Sequence, residues 1–496
     1  MLNRLGFGAR PGDLDRVRQL GLARYIDLQL HPDAITDDAV GERLRALATL
    51  TTDARSFAVD YYLPMTKARQ ELSAQYSGRL PPTALVRGLA LPIAVASLPS
   101  PDKPMSTIAQ DRVLPEEAAY NRRNQRVLQE LQAAKLLRAV YSERQLEEVL
   151  VDFWFNHFNV FAGKIADRPV VLEFERDVIR PRVLGRFRDL LGAVAKSPAM
   201  LFYLDNWLSR DGRLNENYAR ELMELHTLGV DGGYTQGDVV EVARAFTGWT
   251  MRSPREGTGF EFTPRTHDSK PKRVLGTALP AGRGIEDGEQ VLDLLARHPS
   301  TARFIATKLA RRFVADDPPR SIVDRAARVF ERTGGDLREV VRAIVTSREL
   351  FDPAMRRAKL KTPFEFVASA LRATGADVTS AQGTVGTIAA LGEPLYQCQP
   401  PTGYPDRAST WMATGALIAR LNFAEALVDG RVNGVRVDLA RLADANADAA
   451  AERVIARALG GEVSPATRRA ADASGPRVTA AVRTGLVIGA PEFQRR

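Results

Sequence analysis

Apolar residues recur along most of this chain at intervals of three and four, the spacing of one helix face, and strict alternation is rare. Asp13 precedes Leu14, Val17 and Leu20, which predicts a short capped helix. Leu22, Tyr25, Ile26 and Leu30 continue into a second, stopped by His31-Pro32, and Val40, Leu44 and Leu47 suggest a third. From Pro115 the signal strengthens. Leu128, Leu131, Leu136 and Leu137 lead into Leu146, Val149 and Leu150, then into the aromatic run Trp154-Phe155-Asn156-His157-Phe158. Further helices are expected at 170–196, 213–229, 236–247, 286–297, 299–315, 321–333, 336–349 and 362–374. Gly334-Gly335 separates two strongly patterned segments. Residues 257–279 read as loop with a short hairpin through Phe260 and Phe262. Two last helices are expected at 436–459 and 464–486. The fold class that follows is all-α, a multi-helix bundle packed around one extended core.

One segment breaks the pattern. Pro81, Pro82, Pro92, Pro99, Pro101 and Pro104 crowd residues 77–114, and proline removes backbone donors and fixes φ. The chain is therefore divided into an N-terminal helical part (1–76), an irregular proline-rich insertion (77–114), a central helical domain (115–430) and C-terminal helices (431–496). The most apolar stretch, Ala84 to Leu98, is interrupted by Arg87 and Pro92 and is too short to span a bilayer. No transmembrane segment is expected.

Composition narrows the function classes. Of 496 residues, 45% are hydrophobic and 26% charged, so a large core is affordable and wholesale disorder is not expected. The net charge is +9, and 59 of the 69 basic residues are arginine. They are scattered rather than gathered on an arm or face, which argues against nucleic-acid binding. Cys398 is the only cysteine, so there is no internal disulfide and no cysteine zinc site. No export signal opens the sequence at Leu2-Asn3-Arg4-Leu5-Gly6-Phe7-Gly8, which fits the cytoplasm.

The best candidate for chemistry is the helix through Asn215–Gly229. Leu214, Tyr218, Leu222 and Leu225 form an apolar stripe, with Asn217, Glu221 and Glu224 along one edge of it. Two carboxylates three residues apart at the rim of a core raise each other's proton affinity unless a cation intervenes. Arg220, four residues before Glu224, is that cation if the cluster is a structural network. Otherwise Glu221 and Glu224 are acid/base groups or ligands of a divalent metal. His226 points away from both glutamates on a regular helix and reads, taken alone, as packed. His157 shares a face with Phe153 and Trp154, which favours a core position over a ligand, yet with Glu221 and Glu224 it is also a candidate catalytic group. His267-Asp268 on a polar loop and His298 before Pro299-Ser300 are the remaining groups that could complete a metal or catalytic site, with Asn156, Asn217, Arg220 and His226 as substrate contacts. The glycine-rich loop 231–238 lacks the ending of a phosphate loop, and Thr235 with Asp238 fits a capping box.

Several long blocks carry a family resemblance: Phe153-Trp154-Phe155-Asn156-His157-Phe158-Asn159-Val160, Asn217-Tyr218-Ala219-Arg220-Glu221-Leu222, Leu225-His226-Thr227-Leu228-Gly229-Val230-Asp231-Gly232-Gly233-Tyr234-Thr235, and Phe246-Thr247-Gly248-Trp249. His298-Pro299-Ser300-Thr301-Ala302 with Lys308-Leu309, and Pro400-Pro401 followed by Trp411, continue the series. In order and spacing, from Leu5 to about Phe423, the chain resembles the domain of unknown function 1800 family. The resemblance implies a bacterial helical protein and brings no established reaction. It also implies export for many members, against the missing signal here, and a sulfatase-like partner of the domain of unknown function 1501 family. Two functions stand as expectations: a hydrolase-like enzyme acting on a polar polymer or ester through a carboxylate/histidine site, and a non-catalytic accessory protein that binds the sulfatase-like partner.

Overall fold

The computed structural model describes residues 1–75, 113–164, 168–443, 446–473, 475 and 478–496. The chain is mostly α-helical, and the described strands form only short antiparallel pairs. Residues 77–112, the bulk of the expected proline-rich insertion, lie outside the described residues.

The best-patterned helices fall where their periodicity places them: Glu286–Arg297, Pro299–Phe313, Arg320–Thr333, Leu337–Val345 and Pro363–Thr374. Their ends have local causes. Pro299 and Pro363 start two of them, where a missing N–H is harmless. Gly334 takes the left-handed conformation at φ 64° and closes Arg320–Thr333. Thr362 and Glu365 form a capping box at the start of Pro363–Thr374.

Several expectations needed correction. The expected 170–196 helix is broken into Arg168–Glu173, a π-helical turn Phe174–Ile179, a 3₁₀ turn and Phe187–Ala195. The expected 464–486 helix is two pieces, Pro465–Ala471 and Ala480–Gly489. Helix Thr414–Val428 was not foreseen, because it carries apolar residues all round and so shows no stripe. The hairpin through Phe260 and Phe262 does form, with Trp249 paired to Phe262 and Met251 to Phe260. A second hairpin, Lys272–Val274 with Thr277–Leu279, follows it.

The buried apolar residues form one connected core running from Leu5 to Phe493. Polar contacts knit distant segments to it. Arg4, 7% exposed, donates to the carbonyls of Phe313, Val314 and Met355, and Arg372 reaches Asp13 at 2.8 Å. Among the described residues no helix is long and apolar enough to cross a membrane.

Candidate functional site

The helix Gln145–His157 points two of its faces at different neighbours. Asp152 and Asn156, four residues apart, share one face and meet the helix Pro299–Phe313, the long helix Pro115–Tyr141 and the loop from Glu393 to Trp411. Together these enclose a cavity of about 60 Å³, lined among others by Lys135, Asp152, Arg312, Glu393, Asp406 and Trp411. It holds a few waters or one functional group, not a whole polymer unit. The Asp152 and Asp406 side chains keep 20% and 25% of their surface, so the cavity reaches solvent.

Its loop wall is fixed by the aromatic-asparagine block. Asn156 donates from Nδ2 to the Tyr404 carbonyl at 2.8 Å and accepts the Tyr404 N–H at 2.7 Å. Asn159 donates to the carbonyls of Cys398 and Pro400 at 2.9 and 2.8 Å. Gly403, at φ 70°, lies so close to Asn156 that a Cβ would collide with it. The two asparagines therefore act as clamps on backbone, and Asn156, expected as a substrate contact, has its amide occupied.

Two of the three carboxylates that line the cavity, Asp152 and Glu393, sit in opposite electrostatic surroundings. Asp152 is ion-paired to Lys135 at 2.7 Å and faces Arg312 at 3.6 Å. Glu393 accepts the Phe364 N–H at 2.8 Å but has no ion pair among the described residues. Burial, followed by the charge of Asp152, pushes the Glu393 carboxyl up to about 8, against the smaller effect of that hydrogen bond. Arg312, 4% exposed, also holds the buried Glu365 at 2.6 Å, and Arg496 adds a second contact at 3.1 Å. Burial alone would raise Glu365, but Arg312 and Arg496 outweigh it and bring it down to about 2.

The residues singled out from sequence are not gathered in one place. Glu221 and Glu224 are half-buried, and neither has an ion pair or side-chain hydrogen bond among the described residues. Burial and then Glu224 raise the Glu221 carboxyl, with Arg220 opposing. Arg220 does not reach Glu224. It bonds Gln236 at 2.8 Å and faces Glu216 at 3.9 Å, while Asn217 is exposed. The helix is regular only over Glu216–Glu221 and widens into a π-helical turn over Leu222–Thr227, which Thr227 closes by donating to the Leu222 carbonyl at 2.7 Å. His226, 1% exposed, packs in that turn beside Phe158. His157, 2% exposed, donates from Nε2 to the His226 carbonyl at 3.1 Å. Among the described residues, His157 Nδ1 and His226 Nε2 have no hydrogen-bond partner. Burial, then the Lys308 charge, lowers both imidazoles, His226 to about 3.

His267 and Asp268 belong to a separate cluster under the hairpins. Asp268 pairs with Arg244 at 2.8 Å; Asp287, fully buried, takes Lys272 at 2.7 Å and Arg283 at 3.1 Å. His267 donates to the Thr247 carbonyl at 2.8 Å and faces Asp287 at 3.4 Å. Thr247, His267 and Asp287 have the residue types of a nucleophilic triad. The Thr247 hydroxyl, however, is fully buried and committed to the Arg244 carbonyl at 2.6 Å. His298 caps its helix by accepting the Ser300 N–H at 3.1 Å. The single metal site expected from Glu221, Glu224, His267, Asp268 and His298 is therefore not assembled. Among the described residues, no three histidine, cysteine, aspartate or glutamate side chains are placed to share an ion.

Sequence reading missed Glu393, Lys135 and Arg312 as site residues because they lie in three separate segments and only folding brings them together. Asp152 gave a faint signal, sharing a helix face with Asn156. A family model described as "Protein of unknown function (DUF1800)" matches residues 1–495. No curated protein and no solved structure matches the chain.

Proposed function

As the chain belongs to the DUF1800 family over essentially its whole length, and the family brings no activity with it, we propose one from the geometry: a hydrolase-like enzyme working by general acid–base catalysis at the Asp152–Glu393 cavity. The observation that carries this reading is the contrast between two carboxylates on one cavity, Asp152 ion-paired to Lys135 and Glu393 buried without an ion pair among the described residues. A buried carboxyl that keeps its proton beside an ion-paired carboxylate supplies an acid and a base on one cavity. Glu393, protonated at neutral pH, gives its proton to the leaving group. Asp152 takes a proton from the attacking water, for which the cavity has room. Arg312 and Lys135 offset the charge that develops on the substrate. The small volume admits the reacting end of a polar polymer or ester while the rest lies outside.

The test is a panel of chromogenic glycosides, carboxylic esters and phosphoesters. Turnover of one class is expected, reduced roughly 10²–10⁴-fold in Glu393→Gln and in Asp152→Asn. Turnover that survives both substitutions refutes the assignment.

A second reading, an accessory protein that docks on a sulfatase-like partner, is supported by one feature. Met412, Ile418 and Leu421, on and before helix Thr414–Val428, are 45%, 54% and 40% exposed, and Leu486 on the adjoining helix is 38% exposed. Replacing Ile418 and Leu421 with serine would abolish co-purification with such a partner if this reading holds, and would leave the acid–base site untouched.

A further inference from the structure

Three residues that line the cavity each carry a buried polar atom with no hydrogen-bond partner among the described residues: Trp411 Nε1, Arg312 Nε and Asp406 Oδ2. Trp411 and Arg312 are 5% and 4% exposed. All three side chains are otherwise tied down. Arg312 holds Glu365 through one terminal nitrogen at 2.6 Å and faces Asp152 through the other at 3.6 Å. Asp406 gives Oδ1 to Lys359 at 2.7 Å, and Lys359, 1% exposed at its side chain, also donates to the Asp406 carbonyl at 3.0 Å and pairs with Asp316 at 2.6 Å. Asp316 in turn accepts the Ala408 N–H at 2.7 Å, just before Trp411. The Trp411 ring lies 5.9 Å from that of Tyr404, the residue that Asn156 clamps. This wall is therefore preformed, with its partners settled in the fold rather than by an arriving ligand.

The chemistry of the set selects its occupant. Two N–H groups can only donate, and a carboxylate oxygen held to an ammonium can only accept. A phosphate or carboxylate would satisfy the donors and bring its own charge against Asp406 and Asp152. An ammonium would satisfy Asp406 and leave Trp411 and Arg312 unmet. A hydroxyl serves both sides, because one oxygen accepts and donates, as water does. The cavity of about 60 Å³ takes one such group while its carrier stays outside. A glycan is the polar polymer that presents hydroxyls along its whole length.

We infer that Trp411, Arg312 and Asp406 form a hydroxyl-binding subsite and that the ligand of the cavity is a carbohydrate. A sugar hydroxyl accepts from the Trp411 indole and the Arg312 guanidinium and donates to Asp406 Oδ2. Trp411 and Asp406 are then specificity residues, since an analogue without the hydroxyl leaves buried groups unpaired. For what happens to the bound sugar the inference rests on the acid–base reading, and it makes the substrate a glycoside rather than a carboxylic ester or phosphoester. Binding itself does not depend on that reading.

The experiment is ligand-detected saturation-transfer NMR on the folded full chain, with maltopentaose, cellopentaose and chitopentaose as probes and tetra-alanine and phenyl phosphate as a peptide and a phosphoester for comparison. At least one oligosaccharide is expected to bind, and neither comparison ligand. Trp411→Phe keeps a ring and loses the N–H, and Asp406→Asn replaces the acceptor with a donor; each should weaken binding roughly tenfold, the worth of one hydrogen bond, at unchanged helicity. Trp207→Phe, which removes an equally unpartnered indole N–H outside the cavity, should leave binding as it is. Binding that depends on Trp411 and Asp406 without release of reducing sugar upholds the subsite and refutes the acid–base reading. Binding unchanged in both cavity variants, no binding of any of the three oligosaccharides, or preference for tetra-alanine or phenyl phosphate overturns the inference.

Discussion

Glu393 and Glu365 show how the same residue type, equally buried, is driven in opposite directions by what faces it. Glu393 has the Phe364 N–H, the Thr362 hydroxyl and a neighbouring carboxylate, and its folded-state proton affinity lies far above that of an unfolded glutamate. Folded Glu393 therefore binds more protons than the unfolded chain between about pH 4.5 and 8. Its contribution to stability is present in full at low pH and is lost as pH rises through that window, about 3 kcal/mol by pH 7. Glu393→Gln should raise the melting temperature at pH 8 and leave it nearly unchanged at pH 4.5; an equal effect at both would contradict the assignment. Glu365 runs the other way. Its affinity is depressed to about 2, so its stabilisation is present above about pH 4.5 and is lost as pH falls toward 2. Glu365→Gln leaves Arg312 and Arg496 buried beside a neutral amide and should destabilise the protein by about 3–5 kcal/mol at pH 7, measured by urea unfolding. Neither behaviour was legible in sequence, because the partners lie many residues away, at Arg312, Phe364 and Arg496. The sequence drew attention instead to Glu221 and Glu224, which are adjacent on one helix. The structure leaves that pair half-buried and without the arginine that spacing alone supplied.

At the scale of elements, periodicity served where helices are amphipathic and capped. Arg320–Thr333 and Leu337–Val345, with glycines between them, are the clearest cases. It failed where the backbone leaves the α period. The π-helical turns at Phe174–Ile179 and Leu222–Thr227 keep apolar residues at helical spacing while shifting the side chains that follow. That shift decides what His226 faces, and a regular helix could not have told it. The aromatic-asparagine block was conspicuous in sequence, and its role as a clamp on residues 398–404 required the fold. Two substitutions test the clamp. Gly403→Ala meets both a left-handed backbone and the Asn156 oxygens, and should lower stability by roughly 1–3 kcal/mol. Asn159→Ala removes two hydrogen bonds to backbone and should speed amide exchange in residues 398–404 selectively. Uniform exchange across the chain would show that the loop is held by something else.

Across the whole molecule, one apolar core and long-range polar ties bind the first helices to the last. Asn3 bonds the Ala458 carbonyl at 3.1 Å, and Lys359 and Arg496 exchange backbone hydrogen bonds. The all-helical class and the family were readable from sequence, since both rest on patterns spread over hundreds of residues. One extended core was expected too, but which stripes face one another within it was not legible. The connected core predicts that calorimetry of the intact protein shows a single dominant transition. Two well-separated transitions would mean that part of the chain melts independently of the helices around the cavity.

The central claim, a protonated acid beside an ion-paired base, comes down to the state of one carboxyl group. An infrared titration of the wild type minus Glu393→Gln reads it directly, since the carbonyl stretch of a protonated carboxylic acid is distinct from the bands of a carboxylate. The account predicts a difference band present at pH 7 that disappears as pH rises through about 8. A difference spectrum showing only carboxylate at pH 6 to 7 would contradict it, and Glu393 could not then serve as the acid.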